Sequence, residues 1–113
     1  MKGRRYVVAS AIAVAGFGAL FLALPGRGSG VQVKLIDFRY RPSTITVHVG
    51  GAATFENRST VTHTATCSKC SLDSGDIQPE MFKTLTFTKA GHYQLFCRYH
   101  GERGMVAEVI VKP

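Results

Sequence analysis

The chain predicts an all-β domain, an antiparallel sandwich or small barrel, preceded by an N-terminal export or anchor segment. Three observations carry that prediction. Beyond Leu24 no segment has helical periodicity of useful length, apolar residues recur at every second position in seven or so short runs, and Gly, Pro, Ser and Asp clusters separate those runs. No internal repeat is present, and 113 residues leave room for one domain.

Residues 1–30 stand apart from that domain. Lys2, Arg4 and Arg5 precede an uncharged run from Val7 to Leu24, a basic n-region followed by an apolar h-region. As a helix the run is about 27 Å long, marginal for a bilayer core of about 30 Å. No clean Ala-x-Ala site follows, and Gly28-x-Gly30 is the nearest small-x-small pair. A cleaved signal and a retained membrane anchor both remain open. Arg4-Arg5 matches a twin-arginine signal, but an arginine pair is also common in an ordinary n-region, and the ordinary reading is favoured. Either fate sends the remainder to an extracytoplasmic space, periplasmic or cell-surface. Pro25 to Gly30 reads as a flexible linker.

The domain over 31–113 begins with Val31, Val33 and Leu35 alternating with polar residues, a half-buried strand. Phe38 and Tyr40 precede Pro42, where the strand ends or lies on an edge. Thr44 to Val49 alternates cleanly, which points His48 to solvent. Gly50-Gly51 supplies a turn tolerant of positive φ, and Ala52 to Asn57 is the next strand. Polar residues from Arg58 to Thr62 form a loop that delivers His63. From Ser68 to Glu80 no apolar period exists, so a long loop is expected to contain Cys67-x2-Cys70. Lys83 to Thr88 and His92 to Cys97 are strands joined by Lys89-Ala90-Gly91, with Tyr93, Leu95 and Cys97 on one face and His92 on the surface. Val106 to Lys112 closes the domain.

A domain this small benefits from a metal, a disulfide or both. Of the 14 Lys and Arg, four lie in the first thirty residues, so ten face seven acidic residues in the domain, and its charge is +3. No basic run interleaved with aromatics exists, which argues against nucleic-acid binding. Three cysteines in an oxidising compartment imply one disulfide and one thiol kept for another purpose. Cys67 and Cys70 are the pair, and Cys97 is left free.

That free thiol begins the densest ligand pattern in the chain. Cys97-x2-His100-x4-Met105 places three soft or borderline donors on one loop, and His63 is the upstream candidate for a fourth. A thiolate, two imidazoles and a weak thioether are the donors of a blue-copper electron-transfer site. In an extended chain Cys67 lies about 13 Å from His63 and cannot share its metal without a sharp bend.

The same residues resemble the small cupredoxins, especially plastocyanin-like blue copper proteins. The likeness runs through Pro42-x2-Ile45-Thr46-Val47-x2-Gly50, Phe55-x-Asn57-x5-His63-Thr64, Asp73-Ser74-Gly75, Phe87-x3-Gly91-x-Tyr93 and the Cys97 to Met105 loop. It implies a Greek-key β-sandwich that carries single electrons between redox proteins, a transiently docking monomer and not an enzyme. The implied ligands of one copper ion, cycling between Cu(I) and Cu(II), are His63, Cys97, His100 and Met105. The resemblance also makes His100 the surface port for electrons.

Three departures stand out. Arg98-Tyr99 occupies the position where a proline is common before the histidine, which implies a more basic port. Ala107 replaces a frequent glycine, and Cys67-x2-Cys70 is foreign to the pattern. The four-residue gap before Met105 looks like the plastocyanin loop and is longer than that of amicyanin.

A structural zinc site is the rival from another class. Cys67-x2-Cys70 with Cys97-x2-His100 has Cys3His zinc-knuckle spacing, but leaves His63 and Met105 without a role. A thiol oxidoreductase built on Cys67-Ser68-Lys69-Cys70 lacks the βαβ setting such motifs use. Multicopper oxidase chemistry is disfavoured because no His-x-His pair occurs.

Overall fold

Alternation along the chain becomes alternation of faces in the computed structural model, which describes residues 30–113. Apart from Gly30, the expected export or anchor segment and linker lie outside the described residues. Strand β1 (Val31–Ile36) buries Val33 and Leu35, and β2 (Arg39–Arg41) buries Tyr40 between two exposed arginines before stopping at Pro42. Ile45 and Val47 of β3 (Thr44–His48) face inward, as do Ala53, Phe55 and Asn57 of β4 (Ala52–Asn57). Gly50 turns the chain between them with φ 86°, a conformation that glycine adopts without steric cost. The remaining strands are β5 (Thr66–Cys67), β6 (Leu72–Asp73), β7 (Phe82–Thr86), β8 (Gly91–Phe96) and β9 (Val106–Lys112).

Two sheets face each other across the core. Their strand orders are β2-β1-β4-β7 and β3-β9-β8-β5-β6. Tyr40, Phe55, Phe87, Leu35, Ile45, Leu95 and Val109 fill the space between them. Burial of each such side chain stabilises the fold by about 1.5–3 kcal/mol. Crossing of consecutive strands between sheets gives the Greek-key sandwich.

The sheets are mixed, whereas the sequence pattern predicts antiparallel ones. β1 pairs with β4 in parallel, and so does β3 with β9. The reason is topological: at Pro42 the chain leaves one sheet for the other, and β4 returns beside β1 in the same direction. Side-chain alternation has the same period in either case.

The segment from Ser68 to Glu80 also differs from the expected free loop. It contains β6, and its Ile77 is fully buried. Ile77 and His63 exchange backbone hydrogen bonds at 3.2 and 2.7 Å, which binds the segment to the chain entering β5.

Candidate metal centre

Cys97 follows the last residue of β8 and is fully buried. Its carbonyl accepts the N–H groups of His100 and Gly101 at 3.2 and 2.7 Å, which curls the chain into a tight turn. A 3-10 turn over Gly101–Arg103 follows, and Gly104 ends it with φ 94°. That left-handed residue redirects the backbone, so Met105 donates to the His100 carbonyl at 3.3 Å and accepts from the Cys97 N–H at 3.2 Å. Met105 thereby enters the interior beside the start of its own loop, fully buried.

His63 comes from the loop that leads from β4 into β5, the strand beside β8. Its backbone is held by Ile77, and Ile77 in turn by Asn57. The buried Asn57 donates through Nδ2 to the carbonyls of Val61 and Ile77, both at 2.8 Å. Its Oδ1 accepts from the Ser59 N–H at 2.8 Å and the Ser59 hydroxyl at 2.7 Å. One amide thus ties together the strand end, the loop before His63 and the segment after it.

These paths converge. Cys97 Sγ lies 3.7 Å from His63 Nδ1 and 3.5 Å from His100 Nδ1, and all three donor atoms fall within 4.8 Å of one another. Burial first, and the neighbouring His100 second, hold the His63 imidazole below the usual histidine range, in its neutral donor form. Its Nε2 is buried and meets no hydrogen-bond partner among the described residues. Thr64 donates its N–H to Cys97 Sγ at 3.4 Å and accepts the Arg98 N–H on Oγ1 at 3.0 Å. The Thr64 carbonyl accepts the Tyr40 hydroxyl at 2.6 Å. Burial, and then the nearby Cys97, push the Tyr40 phenol well above its ordinary range, so it remains a donor.

Phe38 is a site residue that the sequence pattern did not reveal. Asp37 and Phe38 form the two-residue turn between β1 and β2 with φ 53° and 60°. Positive φ is rare for a bulky aromatic and marks a residue held by its surroundings. Phe38 meets His100 edge-on at 4.7 Å between centroids and His63 at 5.9 Å, while its ring remains 45% exposed. The available signal was an aromatic at a turn position that Asn-Gly usually fills.

The charge that Arg98-Tyr99 was expected to bring to the port is offset by neighbouring carboxylates. Arg98 is ion-paired with Asp73 at 2.6 Å, and the Tyr99 hydroxyl donates to Asp76 at 2.6 Å. The Gly75 N–H is the largest influence on the Asp73 carboxyl; desolvation comes second and opposes it, and the Arg98 charge with the Thr66 and Arg98 hydrogen bonds then keeps the group below its ordinary value of 3.8. A depressed folded-state value means that this stabilisation is present above the ordinary value and lost as pH falls through the folded one. Asp73→Asn is therefore expected to lower the urea midpoint at neutral pH. That difference should vanish in acid below the ordinary carboxylate range, and a pH-independent difference would show that the charge is not responsible.

His48 and His92 are exposed and stand outside the cluster. Cys67 and Cys70 form a disulfide with each other, and Cys97 is the free cysteine. The zinc reading required Cys67, Cys70, Cys97 and His100 around one ion. Disulfide sulfurs have no thiolate to offer, and the metal-ligating group found among the described residues is His63, Cys97 and His100. That alternative is therefore set aside.

The donor set fits a single borderline-soft ion. Metal–sulfur and metal–nitrogen bonds of about 2.3 and 2.0 Å opened to a trigonal angle separate the donors by about 3.7 Å. The observed sulfur–nitrogen distances are 3.7 and 3.5 Å. A trigonal thiolate and two imidazoles, with a thioether from the same loop, suit copper.

Fold and cluster together define a small metal-binding β-sandwich whose donors gather at one end of the sheets. The chain belongs to the cupredoxin-like domain family, that of the small blue copper proteins, whose sequence profile matches residues 9–111. Among solved structures, a Cu(I) amicyanin variant is 25% identical with a TM-score of 0.67, over 74% of this chain and 82% of that one. An oxidised amicyanin variant is 26% identical with a TM-score of 0.66, over 75% and 84% of the two chains. A purple cupredoxin from Nitrosopumilus maritimus, 20% identical, shares the fold with a TM-score of 0.63 over 73% of this chain and 99% of that one. Comparison with curated proteins returns no match.

Proposed function

We propose that this protein is an extracytoplasmic type 1 (blue) copper protein that carries single electrons between redox partner proteins. The convergence of His63 Nδ1, Cys97 Sγ and His100 Nδ1 within 4.8 Å carries the reading. His63, Cys97 and His100 would hold the ion strongly, and Met105 would add a weaker thioether donor. A copper ion held there supplies one-electron exchange between Cu(I) and Cu(II).

The chain contributes rigidity and access. Cys97 and Met105 are tied by backbone hydrogen bonds, and His63 is anchored through Ile77 and Asn57, so neither oxidation state calls for ligand movement. The Thr64 N–H stabilises negative charge on the Cys97 sulfur. His100 is partly exposed beside Phe38 and Tyr99, which makes its ring the route between the buried thiolate and the surface.

Adding Cu(II) to the purified metal-free protein tests the proposal. An intense visible thiolate-to-copper absorption is expected, and a protein that remains colourless would sink the reading. Met105→Leu is expected to retain the copper and raise the reduction potential, because loss of the thioether removes a donor that favours Cu(II). Loss of copper would instead make Met105 a strong ligand.

Under the same proposal residues 1–30 serve as export signal or membrane anchor plus linker, and 31–113 form the copper domain. The protein is a carrier with no substrate to transform. Among the described residues no helix is long and apolar enough to cross a membrane. N-terminal sequencing of the protein from its host distinguishes the cleaved from the anchored form.

A further inference from the structure

The basic character expected at Arg98 is found on β2 instead. Arg39 and Arg41 lie on the same exposed face of this edge strand, about 7 Å apart along it. They line an open cleft of about 300 Å³ with Tyr40, Ser43, Gly104 and Val106. Gly104 and Val106 flank the buried Met105, so one wall of the cleft is the end of the Cys97 to Met105 loop.

The charges there are uncompensated. Among the described residues the ion pairs are Arg58 with Glu56 and Arg98 with Asp73, so Arg39, Arg41, Lys34 and Arg103 are unpaired here, as are Lys69, Lys83, Lys89 and Lys112 elsewhere. Lys34 and Arg41 are cross-strand partners, both exposed, and on its other side Lys34 stands opposite Glu56 without forming an ion pair with it. Like charges directly opposite destabilise a strand pair, and an external anion relieves that repulsion. Asp37, Glu102 and Glu108, the carboxylates within two residues of the cleft lining, are exposed and form no ion pair with these arginines. Phe38, adjacent to Arg39, packs against both His100 and His63.

We propose that the Arg39–Arg41 cleft is the docking site for an acidic surface of the protein redox partner. The assignment rests on the electron-carrier reading above and specifies the chemistry of its partner. Planar guanidinium groups grip carboxylates in paired hydrogen bonds, which orients the partner as well as attracting it. A partner seated there brings its redox centre against the Phe38 and His100 edge.

Two measurements test this. The redox-inert paramagnetic trianion hexacyanochromate(III), titrated into the Cu(I) protein, is expected to broaden the NMR signals of the Arg39, Arg41 and Gly104 amides selectively. Arg39→Glu/Arg41→Glu should abolish the broadening. Lys89→Glu/Lys112→Glu removes the same charge near the opposite ends of β8 and β9 and should leave it intact. In stopped flow, hexacyanoferrate(III) takes one electron from the Cu(I) protein, giving hexacyanoferrate(II) and the Cu(II) form. The β2 double variant should slow this step about tenfold at low salt, with the difference shrinking as ionic strength rises. The conservative Arg39→Gln/Arg41→Gln pair should produce an intermediate effect.

Broadening scattered over the surface, or equal slowing by both Glu double variants, would overturn the proposal. Arginine-dependent sedimentation with phosphatidylglycerol vesicles would overturn it too, by making a lipid surface the occupant. The broadening experiment needs no colour from the protein. A colourless protein that still broadens at Arg39 and Arg41 therefore counts against the electron-carrier reading while leaving the anion-binding surface in place.

Discussion

Cys97→Ser is expected to abolish the visible absorption of the copper-loaded protein and to lower copper affinity severely. The absorption is charge transfer from a thiolate, and a serine hydroxyl neither ionises near neutral pH nor shares electron density with copper as sulfur does. Cys97 is fully buried, its sulfur lies within 3.7 Å of both histidine Nδ1 atoms, and no other free cysteine is present to replace it. The fold should survive, since a hydroxyl is smaller than a thiol and the Thr64 N–H and the imidazoles can hydrogen-bond to it. Absorption spectra with a copper assay separate the two effects. Colour retained by the variant would show that Cys97 is not the ligand.

Asn57→Ala should have the largest effect on stability among polar substitutions near the site. It removes four hydrogen bonds. The Ile77 carbonyl keeps the His63 N–H and the Val61 carbonyl keeps the Ser59 hydroxyl, so the cost is that of the lost bonds at about 1 kcal/mol each, less what water restores to Ser59, and a loss of about 3 kcal/mol is expected. For a domain of this size that lowers the melting temperature by about 12–24 °C. Because Ile77 holds the His63 backbone, copper affinity should fall with it. Calorimetry and copper titration check both, and a variant with unchanged melting would reduce Asn57 to a bystander. Asn57→Asp retains the acceptor and loses the Nδ2 donor, so it should behave like the alanine variant at the Val61 and Ile77 carbonyls.

Local features of the chain were legible because their physics is local. Ile45, Val47 and Val49 were assigned to one face by spacing alone, and the structure buries the first two but exposes Val49, which lies past the end of β3. Cys97, His100 and Met105 lie close in sequence, so a single turn and one left-handed glycine suffice to gather them. The contribution of Ile77 was hidden because it is a lone apolar residue in a polar segment, and periodicity needs at least two. Asn57 looked like a polar strand end, since nothing in its immediate neighbours shows that the amide will be enclosed. Phe38 looked like part of a strand because its alternation with Tyr40 fits one, and the turn at Asp37 was missed. The basic port was misplaced for a related reason: the charge of Arg98 is visible in the sequence, but its pairing with Asp73 depends on β5 bringing β6 beside β8.

By itself, then, the chain determined an all-β sandwich, an odd cysteine, and a loop with thiolate, imidazole and thioether in copper-loop spacing. These follow from side-chain chemistry and from periods of two residues. Tertiary structure alone decided that the sheets are mixed and that His63 meets Cys97 at the end of the sheet. It also decided that Phe38 covers both histidines and that two unpaired arginines lie side by side on β2. Each of these depends on contacts between segments far apart in the chain, where strand pairing and burial select partners that local pattern leaves open.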